Sequence, residues 1–400
     1  MPQKKHSYQY KQQRVYSNGY PLHKRTISRI EFVNKLLWLR LMGKLFGIKP
    51  LDNPLPLEEV NSVLFLRYDA LGDMIVTTPL WRILKRVKPS IKIGVAGSYK
   101  NIDILSCDPN VDKIYDYSAK RLADFTRITK PVRKEKWDVV IVCAATQKTR
   151  NAIISKLSSP KGINATIGSR SKVGHQNLFS RLISLPGPMQ MIPALQYLLR
   201  NTIVIPNDDF EDHPSIYIDP QALLEVQASV TDYLQSVNKD RFILLNTDAP
   251  EFKKWGYDKN FELAAFILEQ FPRYGLILSG LKENASEIES RITAMTVPGA
   301  RYIGTPSIHH LAALVELSTV VISPDTSVVH LAEAKQKPVV AFYLEKNEWL
   351  PYKIPHVSII PPKGTPIKDI PVSTAKNAFS RMLNAIEAGA TSDIHDIVEL

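Results

Sequence analysis

The clearest pattern in the chain is a set of short, continuous apolar runs separated by stretches with helical spacing. Residues 63–66 (VLFL), 91–96 (IKIGVA), 137–143 (WDVVIVC), 241–246 (RFILLN), 275–279 (GLILS), 319–323 (TVVIS) and 338–343 (PVVAFY) are rich in Val, Ile and Leu. They lack the alternation of a half-exposed strand, so they suit strands covered on both faces of a parallel sheet. Weaker strand signals lie at 111–117, 163–167, 300–303 and 357–360. Helices are predicted over 74–87, near 100–106, 119–130 and 147–157, and over 221–236, 258–270, 284–294, 308–316, 327–335 and 373–387. Strands alternating with helices at this spacing imply βαβ units, and the 400 residues exceed one typical core. Residues 187–220 carry Pro188, Pro193, Pro206, Pro214 and Pro220 and read as the crossover between two alternating series. The predicted architecture is α/β, with two Rossmann-like domains. The expected divisions are 1–60 (a basic extension and linker), 61–205, 206–372, and 373–400 (a helix followed by a loose acidic tail after Gly389).

The first sixty residues do not follow this pattern. Residues 1–25 are polar and show no apolar periodicity, whereas 27–48 (ISRIEFVNKLLWLRLMGKLFGI) are helix-forming and apolar, interrupted by Arg29, Glu31, Lys35, Arg40 and Lys44. Five charges exclude a comfortable membrane span, which needs ~20 mostly apolar residues. An amphipathic helix with Trp38 and Phe46 suits the interface of an anionic membrane, and it equally suits packing on the body of the protein. Pro54 and Pro56 mark the linker that follows.

Charge sharpens that division. Residues 1–50 hold eleven Lys or Arg against one acid, Glu31, and so supply +10 of the net +12. The remaining 350 residues are nearly neutral, which argues against a nucleic-acid groove in the folded body. Two cysteines, Cys107 and Cys143, build neither a disulfide framework nor a thiolate metal site. The first twenty residues lack the apolar core of a secretory signal, and a cytoplasmic location is expected.

Candidate chemistry sits where apolar runs end. After VLFL comes Arg67-Tyr68-Asp69-Ala70-Leu71-Gly72-Asp73, which places one cation, two carboxylates and a glycine at the carboxyl end of a strand, where open α/β sheets bind ligands. Asp73 fits a catalytic carboxylate there and fits a helix cap equally well. After VVIS, Pro324-Asp325-Thr326-Ser327 opens a helix whose N-terminal N–H groups and hydroxyls suit a diphosphate, with His330 one turn on. After RFILLN, Lys253 and Lys254 offer positive charge, and Trp255 could wall the site or stack on a ring. Glu283, after GLILS, could accept hydrogen bonds from a ribose or sugar hydroxyl. No CxxC, HExxH or GxxxxGK[ST] occurs, and the first βα turn lacks GxGxxG.

Taken in order, RYDALGDMIVTTPLWRILKR, IKIGVAGSYKNIDILSCDPNVDKIYDY, NTDAPEFKKWGYDKNF, LILSG and VISPDTSVVHLAEAKQKPVVAFY resemble glycosyltransferase family 9, the ADP-heptose:lipopolysaccharide heptosyltransferases. The resemblance spans about residues 61–345 and leaves the extension outside. It implies a GT-B fold with the active site between the domains, acceptor on the first and nucleotide sugar on the second. It further implies inverting transfer of heptose or a related sugar, without cofactor or metal, from a nucleotide-diphosphate donor such as ADP-heptose to a lipopolysaccharide-core acceptor. Asp73 matches the general base, with Asp69 beside it as a second catalytic candidate; Asp69 departs from the pattern, since some members have serine there, and leaves two carboxylates in the same loop. Lys253, Lys254, Glu283, Asp325, Thr326, Ser327 and His330 are the expected donor-binding set, and many members have glycine where Ser327 stands. Arg67, Arg170 and Lys172 are expected to contact the acceptor, and residues 27–48 to hold the enzyme at the inner face of a bacterial membrane. Two other function classes fit the residues alone. One is a nucleotide-sugar epimerase or dehydrogenase on tandem Rossmann units, which the missing glycine fingerprint disfavours. The other is a non-enzymatic membrane adaptor working through its basic arm.

Overall fold

The computed structural model describes residues 22–118, 129–144, 149–159, 162–168, 177–206, 213–391 and 394–400. Its framework is two wholly parallel sheets. The first contains β1 (Ser62–Leu66), β2 (Lys92–Gly97), β3 (Lys113–Asp116), β4 (Val139–Val142), β5 (Ile163–Gly168) and β6 (Arg181–Ser184), in the spatial order β3-β2-β1-β4-β5-β6. The second contains β7 (Arg241–Asn246), β8 (Tyr274–Ser279), β9 (Ala300–Tyr302), β10 (Val320–Pro324), β11 (Val339–Phe342), β12 (His356–Ile360) and β13 (His395–Glu399). Their order is β13-β12-β11-β10-β7-β8-β9. In both sheets the strand order reverses beside the first strand, so β1 and β7 deliver their carboxyl ends to a crevice.

The apolar runs form strands because every residue of β1, β8, β10, β11 and β12 is buried, as the absence of alternation requires. Side-chain size is matched across the layers. Gly94 of β2 leaves room for the Trp137 ring, which a Cβ at that position would meet at 2.6 Å. Trp81, on the helix Thr78–Val87, packs against Phe65 of β1 at 5.6 Å and donates its indole N–H to Asp108 at 2.8 Å. That bond answers the polar-atom problem of burying a tryptophan.

Several expectations change. The tail after Gly389 is not loose, because β13 pairs in parallel with β12 over five residue pairs, from His356–His395 to Ile360–Glu399, and becomes the sheet edge. The crossover segment holds the helix Met191–Arg200, with Pro193 in its first turn, where a missing N–H costs nothing. β6 had no apolar run to announce it. The helix expected over 27–48 runs Leu22–Leu45 and packs on the first sheet through Leu39. Most of the helix expected near 119–130 falls outside the described residues.

Trp255 is also reassigned. It does not wall a site: it is 1 % exposed, stacked on Phe342 at 4.5 Å, and donates to the Ile370 carbonyl at 2.9 Å. Its expected role is therefore stability. Trp255→Ala should cost about 3–5 kcal/mol in urea denaturation, and a loss under 1 kcal/mol would show that the ring is not a core element.

Candidate active site

The loop after β1 is built around Arg67. This side chain is fully buried, its Nε donates to the Asp73 carbonyl at 3.0 Å, and one terminal nitrogen donates to Asp73 Oδ1 at 3.0 Å. The other terminal nitrogen donates to the Cys143 carbonyl at the end of β4. Arg67 was expected to contact the acceptor; with its donors committed in this way it is instead the residue that fixes Asp73. The backbone around it is tied down by Asn101, whose amide donates to the Arg67 carbonyl at 3.0 Å and to that of Ala70 at 3.3 Å.

Asp73 is the third residue of the five-residue helix Leu71–Ile75. Its Oδ2 accepts from the Ala70 N–H at 2.9 Å, so the capping reading holds, and the same carboxylate is oriented by a buried cation. Each oxygen has a further lone pair, and the side chain remains 18 % exposed, so it can accept another proton donor. Asp69 is half-buried in the same loop, and its charge adds to the rise of the Cys143 thiol, which burial chiefly pushes up to about 12.

Gly72 makes the connection between the two sheets. A Cβ there would lie 2.5 Å from His330 Cδ2, so only glycine lets the Leu71–Ile75 helix rest against the Ser327–Ala334 helix of the second sheet. His330 is buried, with Nδ1 3.5 Å from Glu333 Oε2. Trp349 meets the His330 ring edge-on at 6.0 Å and lies 5.6 Å beneath the Arg67 guanidinium, within cation–π range. A residue of the second sheet's loops thus covers the cation that orients Asp73. A cavity of about 10 Å³ lies here, lined by Val76, Met191, His330, Glu333, Trp349 and Tyr352 among others.

On the second sheet, Thr326 N-caps the Ser327–Ala334 helix by accepting from the Val328 N–H at 3.2 Å, and the half-buried Ser327 begins the first turn. Asn246, at the end of β7, donates to Ser323 Oγ at 3.0 Å and to Thr326 Oγ1 at 3.4 Å, which locks the two strand ends together. Lys253 reaches Asp325 at 2.5 Å, so the lysine is held at the mouth of the helix start. Lys254 pairs instead with the exposed Glu251 at 3.3 Å. Glu283 is exposed on the loop after β8. That loop is pinned by Asp248, whose carboxylate accepts from the Leu281 N–H at 2.6 Å, Asn284 at 2.8 Å and Tyr257 at 3.2 Å.

The expected residues therefore fall into two groups that meet. Arg67, Asp69 and Asp73 form one; Lys253, Asp325, Thr326, Ser327 and His330 form the other, with Glu283 at its rim. Arg170 and Lys172 lie outside the described residues. Trp349, Glu333 and Asp248 were missed. Glu333 was signalled by its place one helical turn after His330; Trp349 reaches the site only through tertiary packing.

Glu333 gives the site a pH signature. Burial pushes its carboxyl up, against opposing contributions from His330 and from the Tyr352 N–H at 2.7 Å. The folded chain then holds this proton more tightly than the unfolded chain, where Glu titrates near 4.5. The stability this proton brings is complete below that value and is lost as pH rises through the raised one. In urea denaturation across pH, Glu333→Gln should gain on the parent as pH rises above 4.5; a gap moving the other way would show that the carboxylate is the form the fold prefers.

Comparison with known proteins agrees with this geometry. Residues 125–354, more than half of the chain, match the model of glycosyltransferase family 9 (heptosyltransferase). Lipopolysaccharide heptosyltransferase 3 of Escherichia coli is 23% identical over 283 residues, covering 68% of this chain and 80% of that protein. Among solved structures, a glycosyl transferase family 9 protein from Veillonella parvula superposes with a TM-score of 0.68 at 15% identity, over 81% of this chain and 97% of its own. The E. coli ADP-heptose lps heptosyltransferase II superposes with a TM-score of 0.65 at 15% identity, over 82% and 99%. At that identity the superpositions speak for the fold alone, which is the two-domain GT-B arrangement of parallel sheets. The family match carries the rest: the chain is a glycosyltransferase and belongs to glycosyltransferase family 9, the heptosyltransferases.

Proposed function

We propose that the protein transfers heptose, or a closely related sugar, from a nucleoside-diphosphate donor to a lipopolysaccharide-core acceptor with inversion at the anomeric carbon. ADP-heptose is the donor assigned, because one structural neighbour is named for it. The acceptor domain is residues 61–205; the donor domain starts at 206 and, beyond the division expected at 372, takes in the Val372–Glu387 helix and β13, which pack and pair with the second sheet. The observation that carries this reading is the contact between Gly72 and His330, which brings the Asp73 loop and the start of the Ser327–Ala334 helix to one crevice.

In this mechanism Asp73 accepts the proton of the acceptor hydroxyl as its oxygen attacks the anomeric carbon. The bond from that carbon to the donor phosphate oxygen breaks, and the electron pair leaves with the nucleoside diphosphate. The leaving charge is met by Lys253 and by the Ser327–Ala334 helix start, with Thr326 and Ser327 hydroxyls alongside. Lys254, Asp325 and His330 are assigned to the donor side, and Glu283 is assigned to accept a hydrogen bond from a hydroxyl of the nucleotide. Asp325 holds Lys253 in place rather than repelling the phosphates alone. Arg67 keeps the Asp73 carboxylate in one orientation, and Asp69 adds a second negative charge to the loop. Arg170 and Lys172 are assigned to the acceptor's anionic groups. The lipid of the acceptor brings the enzyme to the inner-membrane surface from the cytoplasmic side, where residues 27–48 engage it.

Three variants test the assignment. Asp73→Asn keeps an oxygen for Arg67 but cannot take a proton, so transfer should fall by about 10²–10⁴ while calorimetric donor affinity stays near the parent's. Parent-like turnover would remove Asp73 from the base role. Lys253→Ala should weaken nucleoside-diphosphate binding on the order of tenfold or more, and unchanged affinity would count against the lysine. Trp349→Ala should lower kcat with little effect on donor KM, because it uncovers Arg67 without touching the donor; a change confined to donor KM would place Trp349 on the nucleotide.

A further inference from the structure

Among its described side chains, from Val33 to Leu45, the N-terminal helix Leu22–Leu45 carries apolar residues on two sides, one of them packed on the body and the other exposed. Leu39 is fully buried in an apolar cluster with Leu64, Trp137 and Phe179, and Gly43 lies so close to Asn177 that a Cβ would meet its carbonyl oxygen at 2.2 Å. That face is the one docked on the body. On the far side, Val33, Leu37, Leu41 and Leu45 recur every fourth residue and are 51%, 57%, 55% and 70% exposed, with Trp38 at 44% beside them. At 3.6 residues per turn, Leu37 and Leu41 point about 160° away from Leu39. A ridge of four aliphatic side chains and an indole therefore faces outward.

Charge identifies what covers it. Arg40 and Lys44 are exposed along the flank of the ridge, and Glu31 is the sole acid among the first fifty residues. The segment Lys130–Lys136 packs into the same apolar cluster through Val132 and presents Lys130, Arg133, Lys134 and Lys136 to solvent. A second copy of the chain docking ridge to ridge would bring Arg40 and Lys44 of the two copies together. No described helix is long and apolar enough to cross a membrane. Aliphatic side chains with an interfacial tryptophan, edged by cations, match instead the boundary between acyl chains and anionic headgroups.

We propose that the Val33–Leu37–Leu41–Leu45 ridge, with Trp38 and its basic flank, is a docking surface for an anionic lipid bilayer, held on the body by the opposite face of the same helix. This deepens the membrane reading given above and rests on it. The helix works as an adaptor with two apolar sides: one fixes its position on the acceptor domain, and the other seats that domain on the bilayer.

Sedimentation of the full chain with vesicles tests this, using phosphatidylcholine alone and phosphatidylcholine mixed with phosphatidylglycerol. The parent should bind the anionic vesicles, with binding weakened by salt, and should leave the neutral ones largely unbound. Leu37→Gln/Leu41→Gln should lower binding about tenfold or more, with an unchanged melting temperature and unchanged transfer to a soluble, deacylated acceptor. Arg40→Glu/Lys44→Glu should lower binding comparably at low salt, and high salt should bring the parent's binding down toward that of this variant. Parent-like vesicle binding by the Leu37/Leu41 variant would overturn the proposal. So would equal binding of neutral and anionic vesicles, or a monomer–dimer equilibrium that the same substitutions abolish. Transfer to the soluble acceptor separates the two readings: its loss in the parent defeats the proposed reaction and leaves the surface standing, whereas failed vesicle binding with intact transfer defeats the surface alone.

Discussion

The arrangement depends on one ion pair, Arg67 with Asp73, placed where β1 ends. A fully buried guanidinium is tolerable only when its nitrogens find acceptors, and here each of the three has one, in the Asp73 carboxylate, the Asp73 carbonyl and the Cys143 carbonyl. The consequence is geometric more than energetic. The carboxylate is held from one side by Arg67 and from the other by the Ala70 N–H, so its remaining lone pairs have a defined direction. Taking away the carboxylate would leave a buried cation unpaired, a change that typically costs about 3–5 kcal/mol. A substitution here therefore has to keep an oxygen in place if chemistry is to be read apart from folding.

The same pair ties the two sheets together. Trp349 lies under Arg67, His330 buttresses Trp349, and Gly72 admits His330 against the helix that carries Asp73. His330 is one turn beyond Ser327, where the diphosphate is proposed to sit. Closing the crevice and orienting the carboxylate are thus joined by contact through side chains with little freedom to move. Lys253 and Asp325 repeat the device on the second sheet, with an ion pair fixing a charged group at a strand end.

Much of this was legible in the sequence, for a physical reason. Central strands of a parallel sheet are continuous apolar runs, so β7 falls on the residues expected and β8 and β10 within one residue of them. Edges were harder. β13 (HDIVE) is partly exposed and carries two acids within it, and only its pairing with β12 makes it a strand. The Met191–Arg200 helix was hidden by the prolines around it, although Pro193 in a first turn is no obstacle. In the site, Asp73, Lys253 and Asp325 were visible because each follows a strand. Arg67 was visible for the same reason and misread, since nothing local shows that its donors turn inward. Trp255 was misread likewise, its ring being claimed by Phe342 from β11. Glu333 follows His330 by one helical turn, a spacing the sequence carries, whereas Trp349 and Asp248 act through partners more distant in the chain, which no spacing rule reveals.

The central claim is a single displacement in which a fixed carboxylate and a fixed diphosphate site face each other across one crevice. The most direct measurement is the anomeric configuration of the product formed from ADP-heptose and a deacylated core acceptor, read by NMR coupling constants during early turnover. An inverted glycosidic bond is the result the account predicts. Retention of the donor's configuration, or hydrolysis without transfer, would contradict it.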